Sequence, residues 1–479
     1  MGDGKAISRH AQGWVLALTS IASLMVALDT LVVSTALTTI RLDLGASIEE
    51  LEWTVNAYNL SLAVLLLPAA AIGDRFGRRT VFAAGLGIFV AGSAAAALAP
   101  DVGSLIAARA VQGAGGALVI TLALAIVSAA FPPDRRGWAI GILEGITGLA
   151  VVGGPVIGGA VAQGIAWEWI FWLNVPIGLA AIPLALARLA ESHGRNTKLD
   201  LGGVALVTGG ALGIVWGLVR GNPAGWSSPE VVASLATGAA LVVGFVLWEL
   251  RAREPMLPMR FFRSRAFSSG NAGVFFLFAS LFGAVFFFAQ FLQTGLGHGP
   301  LEAGLRLAPW TATLFVVAPI AGALADRIGE RPLLAGRMAL QAVGFAWVAL
   351  IAEPGLGYRD LIAPLIIAGI GASMAIPPAA SAVVGSVTHE EVSKAAGANS
   401  MLRELGGVFG IALLVAVFAA AGSYASADAF SDGFAPAIGV AAALSLLGAI
   451  ASLGVPGRHR APATTNRPTK PAPALQTEE

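Results

Sequence analysis

Among the ionisable residues inside otherwise apolar runs, four are singled out: Asp29, Arg109, Glu144 and Glu404. A charge at membrane depth costs roughly 2.5–3.5 kcal/mol on insertion scales, so each of these residues is a candidate for function. Asp29 lies about fifteen residues past Trp14, which is near mid-bilayer at 1.5 Å per residue. A carboxyl there can take a proton from one side and release it to the other; alternatively, it forms a permanent ion pair with Arg109. Arg109, at that depth, must face protein or water, as a partner for Asp29 or for Glu144. Glu144 stands one to two turns into its run. It is either a second proton carrier, a counter-charge for a cationic ligand, or an acid that snorkels to the interface. Glu404 follows Arg403, and neighbours on a helix point about 100° apart, so the two need not pair.

The elements that must hold these groups are long apolar helices. The 479-residue chain is 56% hydrophobic and 12% charged, about half the charge of a soluble domain, which indicates a membrane protein. A spanning helix needs about 20 mostly apolar residues. Fourteen such runs are read: 14–40, 53–72, 80–99, 103–130, 138–163, 169–189, 200–219, 230–249, 267–293, 302–325, 333–352, 360–383, 395–423 and 434–454. None alternates polar with apolar as a membrane strand does. With the N-terminus inside, 23 of the 29 Lys and Arg fall in cytoplasmic segments, so both termini are expected there. The segment 251–265 carries five Arg with Leu257, Phe261 and Phe262 and reads as interfacial. The Pro/Thr-rich tail 455–479 reads as disordered.

Several chemistries are excluded. There are no cysteines, and His10, His193, His298, His389 and His459 are scattered without metal-ligand spacing, so no metal and no cofactor is expected. No G-x-x-x-x-G-K-[ST] loop offers an ATP site, and no G-x-S-x-G elbow offers a nucleophile. A net charge of +1 provides no field for nucleic acid. The loops are too short for a receptor domain.

The short link "GDRFGRRT" concentrates Gly73, Asp74, Arg75, Gly77, Arg78 and Arg79 between two apolar runs. Its pattern D-R-x-G-x-R recurs 252 residues later at Asp326, Arg327, Gly329 and Arg331. Both copies join spans of the same orientation, so this is a parallel repeat of two six-helix halves. The chain therefore divides into a tail 1–13, a first bundle 14–190, two inserted helices with a basic linker 191–265, a second bundle 266–454, and the tail 455–479. Asp74 is expected to cap the following helix, or one across the domain face, while holding an Arg.

"GDRFGRR" resembles the loop 2–3 signature of the major facilitator superfamily. "LIAARAVQGAGGA" is similar to its span 4 motif, and "GILEGITGLAVVGGPVIGG" to the antiporter motif of span 5, with Gly154, Pro155, Gly158 and Gly159. "LDTLVVSTAL" and "WEWIFWLNVPIG" resemble the span 1 and span 6 motifs of fourteen-helix drug:proton antiporters. Ala150 departs from the pattern mildly. Glu144 and Glu404 stand where neutral residues are usual. The resemblance implies an all-α polytopic protein arranged 6+2+6. It implies a monomer in the inner membrane of a bacterium that exports hydrophobic or cationic drugs against protons by alternating access. It also implies a proton-relay or helix-coupling role for Arg109 and a leak-limiting bend at Pro155. The charges of the loop 2–3 stretch are themselves expected to form a cytoplasmic latch, made in the outward-open state and broken in the inward-open one. An exporter of one endogenous metabolite, antibiotic or lipid is the alternative. Candidate cavity residues are Asn56, Tyr58, Asn59, Gln112, Phe286, Gln290, Asn399 and Arg403. Phe286 belongs to a run of eight Phe in 274–293, which can stack flat substrates or simply pack.

Overall fold

The computed structural model describes residues 9–194, 200–313, 317, 330–384, 387 and 391–455. Asp326, Arg327 and Gly329 of the second loop lie outside the described residues, as does nearly all of the tail 455–479. Among the described residues the chain is helical without strands. In order, the helices are α1 (Arg9–Leu44), α2 (Ile48–Phe76), α3 (Arg78–Ala97), α4 (Val102–Ala130), α5 (Pro133–Gly164), α6 (Trp169–Trp172) and α7 (Asn174–Arg188). Then come α8 (Leu201–Ala224), α9 (Pro229–Arg251), a 3₁₀ turn (Met259–Arg263), α10 (Arg265–Gln290) continued by a π turn (Phe291–Gly295), α11 (Pro300–Arg306) and α12 (Ala308–Thr311). The last four are α13 (Glu330–Ile351), α14 (Tyr358–Val384), α15 (Val392–Ala421) and α16 (Ala427–Ser452).

Local sequence explains where these helices begin. Ser47 and Glu50 form a reciprocal capping box at α2, and Asp101 with Ser104 does the same at α4. Ser228, Ser264 and Ser426 cap α9, α10 and α16, and proline opens α5, α9 and α11. The turn from α2 to α3 is a single residue, Gly77, at φ +98°, a conformation that a Cβ would strain. Within α5 the axis turns by 41° between Arg135–Val151 and Gly153–Gly164. Pro155 explains this, since its ring excludes the carbonyl four residues back, that of Val151.

Among the described residues, ten helices are long and apolar enough to cross a membrane, eleven if bent α5 counts as one span. α1 packs on α5 and α4, and α2 and α3 both pack on α4. In the second group α10 packs on α15 and α16, and α13 on α14 and α16. The groups meet where α2 lies on α15, α5 on α11 and α1 on α10. α8 and α9 pack on each other, and α8 also touches both α2 and α15, so the extra pair stands beside this seam. Glycine sets the closeness of many contacts: a Cβ on Gly113 would meet the Tyr58 carbonyl at 2.3 Å, and one on Gly410 the Ala279 carbonyl at 2.0 Å. Lipid gives no hydrophobic reward for helix association, so such close backbone approach supplies the attraction.

Candidate functional site

Asp29 and Arg109 are brought together. Both are almost fully buried, at 3% and 1% exposure, with Arg109 Nη1 donating to Asp29 Oδ2. The other carboxylate oxygen accepts from Gln112 Nε2 and from Asn174 Nδ2, each at 2.8 Å. Arg109 Nη1 also donates to Gln112 Oε1 at 2.6 Å, and Arg109 Nε to the Thr54 carbonyl at 3.2 Å. Ser93 Oγ accepts from Gln112 and Asn174 and donates to the Phe171 carbonyl at 2.9 Å. The guanidinium lies 4.1 Å from the Tyr58 ring centroid and 5.6 Å from that of Phe171. Tyr58 donates its hydroxyl to the Val26 carbonyl at 3.1 Å.

Five helices thus converge on one carboxylate: α1 supplies Asp29, α2 Thr54 and Tyr58, α3 Ser93, α4 Arg109 and Gln112, and α7 Asn174. Such a pair survives burial only when its remaining donors and acceptors are met, and this set meets them. A proton added to Asp29 would cancel the charge that holds Arg109, leaving the guanidinium with the Thr54 carbonyl, the amide of Gln112 and the two rings.

The other predicted acids lie elsewhere. Glu144 is exposed on the first half of α5 and forms no ion pair among the described residues, so Arg109 serves Asp29. Glu404 is buried and does pair with its neighbour: Arg403 Nε donates to Glu404 Oε1 at 3.0 Å. The long Arg403 side chain folds back across the 100° offset, while its guanidinium lies 5.5 Å from the Phe278 ring centroid. Asn399 donates to Asn271 Oδ1 at 3.0 Å. Phe286 and Gln290 are packed: Phe286 stands edge-on to Phe287, and Gln290 bonds the Phe286 carbonyl and the Tyr424 hydroxyl. Most of the Phe run is aromatic core, as where Phe291 stacks on Phe434 at 4.1 Å.

The Gly154–Gly159 stretch of α5 is where the two helix groups close. A Cβ on Gly158 would lie 2.4 Å from the Val32 carbonyl of α1, and one on Gly159 2.3 Å from the Pro300 carbonyl that opens α11. A Cβ on Gly304 of α11 would lie 2.2 Å from the Pro155 carbonyl. At the same end Gln163 Oε1 accepts from the Leu301 amide, Gln293 donates to the Thr35 carbonyl at 3.0 Å, and the Arg41 guanidinium lies 4.3 Å over the Tyr424 ring. On the other half of α5, Gly137, Gly141, Gly145 and Gly148 face open space.

In the last turn of α2, Asp74 holds Arg78 at 2.7 Å, and its carbonyl accepts from the Gly194 amide. It does not cap α3. Glu191, beyond α7, does so: it accepts from the amides of Arg79 (2.9 Å) and Thr80 (3.1 Å) and from the Thr80 hydroxyl (2.6 Å). Burial pulls the Glu191 carboxyl up, but these bonds and the Ser192 amide outweigh it and hold it below its ordinary value. Arg79 reaches the carbonyls of Leu186 and Leu189, and Arg75 lies over Phe76. The motif therefore fastens the α2–α3 turn to the end of α7.

Sequence reasoning missed Asn174, Ser93, Glu191 and Glu52. Asn174 left a signal, an amide within the apolar stretch "WLNVPIG"; Ser93 left none. Glu52 fell one residue outside the predicted run 53–72, yet it is fully buried.

A family model described as Major Facilitator Superfamily matches residues 19–411 and 270–477. The tetracenomycin C resistance and export protein of Streptomyces glaucescens is 33% identical over 404 residues, covering 84% of this chain and 75% of that protein. The multidrug resistance protein Stp of Mycobacterium tuberculosis is 32% identical over 408 residues, covering 85% and 75%. Among solved structures, a peptide transporter POT superposes with a TM-score of 0.68 at 16% identity, covering 92% of this chain and 93% of that one, a likeness of fold.

Proposed function

The chain belongs to the major facilitator superfamily, and on that premise we propose that it exports drug-like molecules in exchange for protons by alternating access. It is a multi-pass membrane transporter and not an enzyme. Under this reading fourteen spans are arranged 6+2+6 in a bacterial cell membrane, with both termini cytoplasmic. The bundles are 14–190 and 266–454.

The observation that carries the reading is the Asp29 network. Its single carboxylate holds an arginine that also binds the Thr54 carbonyl of α2, and α2 is one of the helices on the seam. Protonation of Asp29 releases Arg109 and so alters what α2 is tied to; deprotonation restores the tie. Under this reading the Arg41–Tyr424 end, where the two helix groups touch, is external, and the chain is taken to face inward. Glu144, exposed on the free half of α5, and Glu404, buried beside Arg403, are further proton carriers under this reading. The loop at Asp74 is a cytoplasmic latch between states. Export of a single antibiotic is the second reading, favoured by the relative named for tetracenomycin C.

The test uses purified protein in vesicles carrying a pH gradient. Ethidium addition is expected to move protons, and Asp29→Asn to abolish proton movement. Drug transport without proton flux would refute antiport. Normal coupled transport by Asp29→Asn would remove Asp29 from the mechanism.

A further inference from the structure

The opposite flank of α2 carries a second polar set that the Asp29 network does not use. Glu52, Asn56 and Asn59 follow at i, i+4 and i+7 and so share one flank of the helix. All three are buried, at 0%, 0% and 1% exposure. Asn56 Nδ2 donates to Glu52 Oε1 at 3.1 Å. Beyond that bond, Glu52 Oε2, Asn56 Oδ1 and both amide atoms of Asn59 have no hydrogen-bond partner among the described residues. No cation pairs with Glu52 among them either.

Their flank borders the seam between the helix groups. On the same side of α2, Leu60, Ala63, Val64 and Leu67 pack with Ala398, Met401, Leu405 and Val408 of α15, and Leu67 stands where a Cβ on Gly397 would reach. Buried polar atoms are almost always satisfied, and a run of unsatisfied ones needs a reason. A buried carboxyl moreover requires either a proton or a cation beside it. Orphaned acceptors on a seam that parts in each transport cycle are groups waiting for a ligand.

We infer that Glu52 is a specificity-determining residue that binds the positively charged group of a substrate, with Asn56 and Asn59 completing the polar wall. This assignment rests on the export reading above. On binding, the substrate cation takes the place of the proton on Glu52, which leaves to water, so no net charge is buried. Uncharged substrates use the apolar remainder of the site and do not draw on Glu52.

The test compares ethidium with its uncharged reduced form, dihydroethidium, under anaerobic conditions, using the full chain in vesicles. Glu52→Gln is expected to raise the KM for ethidium at least ten-fold and to leave that for dihydroethidium within two-fold, while Glu52→Asp stays near the wild type. Equal shifts for both probes, or none, would overturn the assignment. A second measurement needs no variant: ethidium should slow carbodiimide labelling of Glu52, read by mass spectrometry, and dihydroethidium should not. Labelling indifferent to ethidium would also overturn it. A wild-type chain that moves neither probe would instead sink the export reading, and this assignment with it.

Discussion

Gly158 and Gly159 are adjacent, yet the structure assigns them opposite consequences. A Cβ on Gly159 would stand 2.3 Å from the Pro300 carbonyl oxygen, 2.7 Å from its carbon and 2.8 Å from Leu301 Cα. The obstacle is backbone and cannot rotate away. Forced overpacking of this kind costs about 1–3 kcal/mol. Because α5 and α11 belong to different helix groups, the clash is relieved when the groups part at this end. The cost therefore falls on one state, and a preference of that size shifts a two-state population by about 5- to 150-fold. A Cβ on Gly158 would instead meet Thr35 Oγ1 and the Val32 carbonyl of α1, both at 2.4 Å. Those atoms lie within the same group, so parting gives no relief and the fold itself is strained.

The natural absence of cysteine makes the assay direct. Gln163→Cys with Leu301→Cys reports closure, since the Gln163 side chain meets the Leu301 amide at 3.0 Å. Gly159→Ala is expected to slow disulfide formation between these positions by about 5- to 150-fold without lowering the melting temperature. Gly158→Ala is expected to lower the melting temperature by about 1 °C per kcal/mol and to leave the closed-state cross-link at its original rate. Gly159→Ala that cross-links at the parent rate, or that melts as Gly158→Ala does, would refute the argument.

Three further outcomes are expected. Asn174→Ala deletes one neutral donor to the Asp29 carboxylate; at about 1.5–3 kcal/mol for a bond to a charged group, coupled transport should fall about 10- to 150-fold, measured as proton flux per drug moved. Gln293→Leu removes the bond from the π turn to the Thr35 carbonyl, worth about 1 kcal/mol, and should slow the 163–301 cross-link about five-fold. Glu191 is held below its ordinary pKa, so its stabilisation is complete above that value, about 4.3, and is lost as pH falls through the lower folded value. Melting curves from pH 6 downward should show this slope, and Glu191→Gln should flatten it.

Much of the site was legible because charge is conspicuous in an apolar chain. Asp29 and Arg109 stood out for that reason alone, and their pairing was one of the readings on offer. Asn174 and Ser93 escaped because neutral polar residues are common in spans and carry no comparable insertion penalty. Glu191 escaped because its role depends on a meeting across more than a hundred residues with the amides of Arg79 and Thr80. Asp74 was the plausible cap by position in the chain, but the one-residue turn at Gly77 directs it to Arg78 instead.

The helices themselves, their starts at Ser47, Asp101 and Ser264, and the bend at Pro155 follow from local chemistry: apolar length, capping side chains and a missing amide. Partnership between helices does not. In lipid every apolar face is equally content, so which helix lies against which depends on where small residues let backbones touch and where buried polar groups find one another. Only the folded chain decides that α2 carries the arginine's carbonyl on one side and an unsatisfied acid on the other.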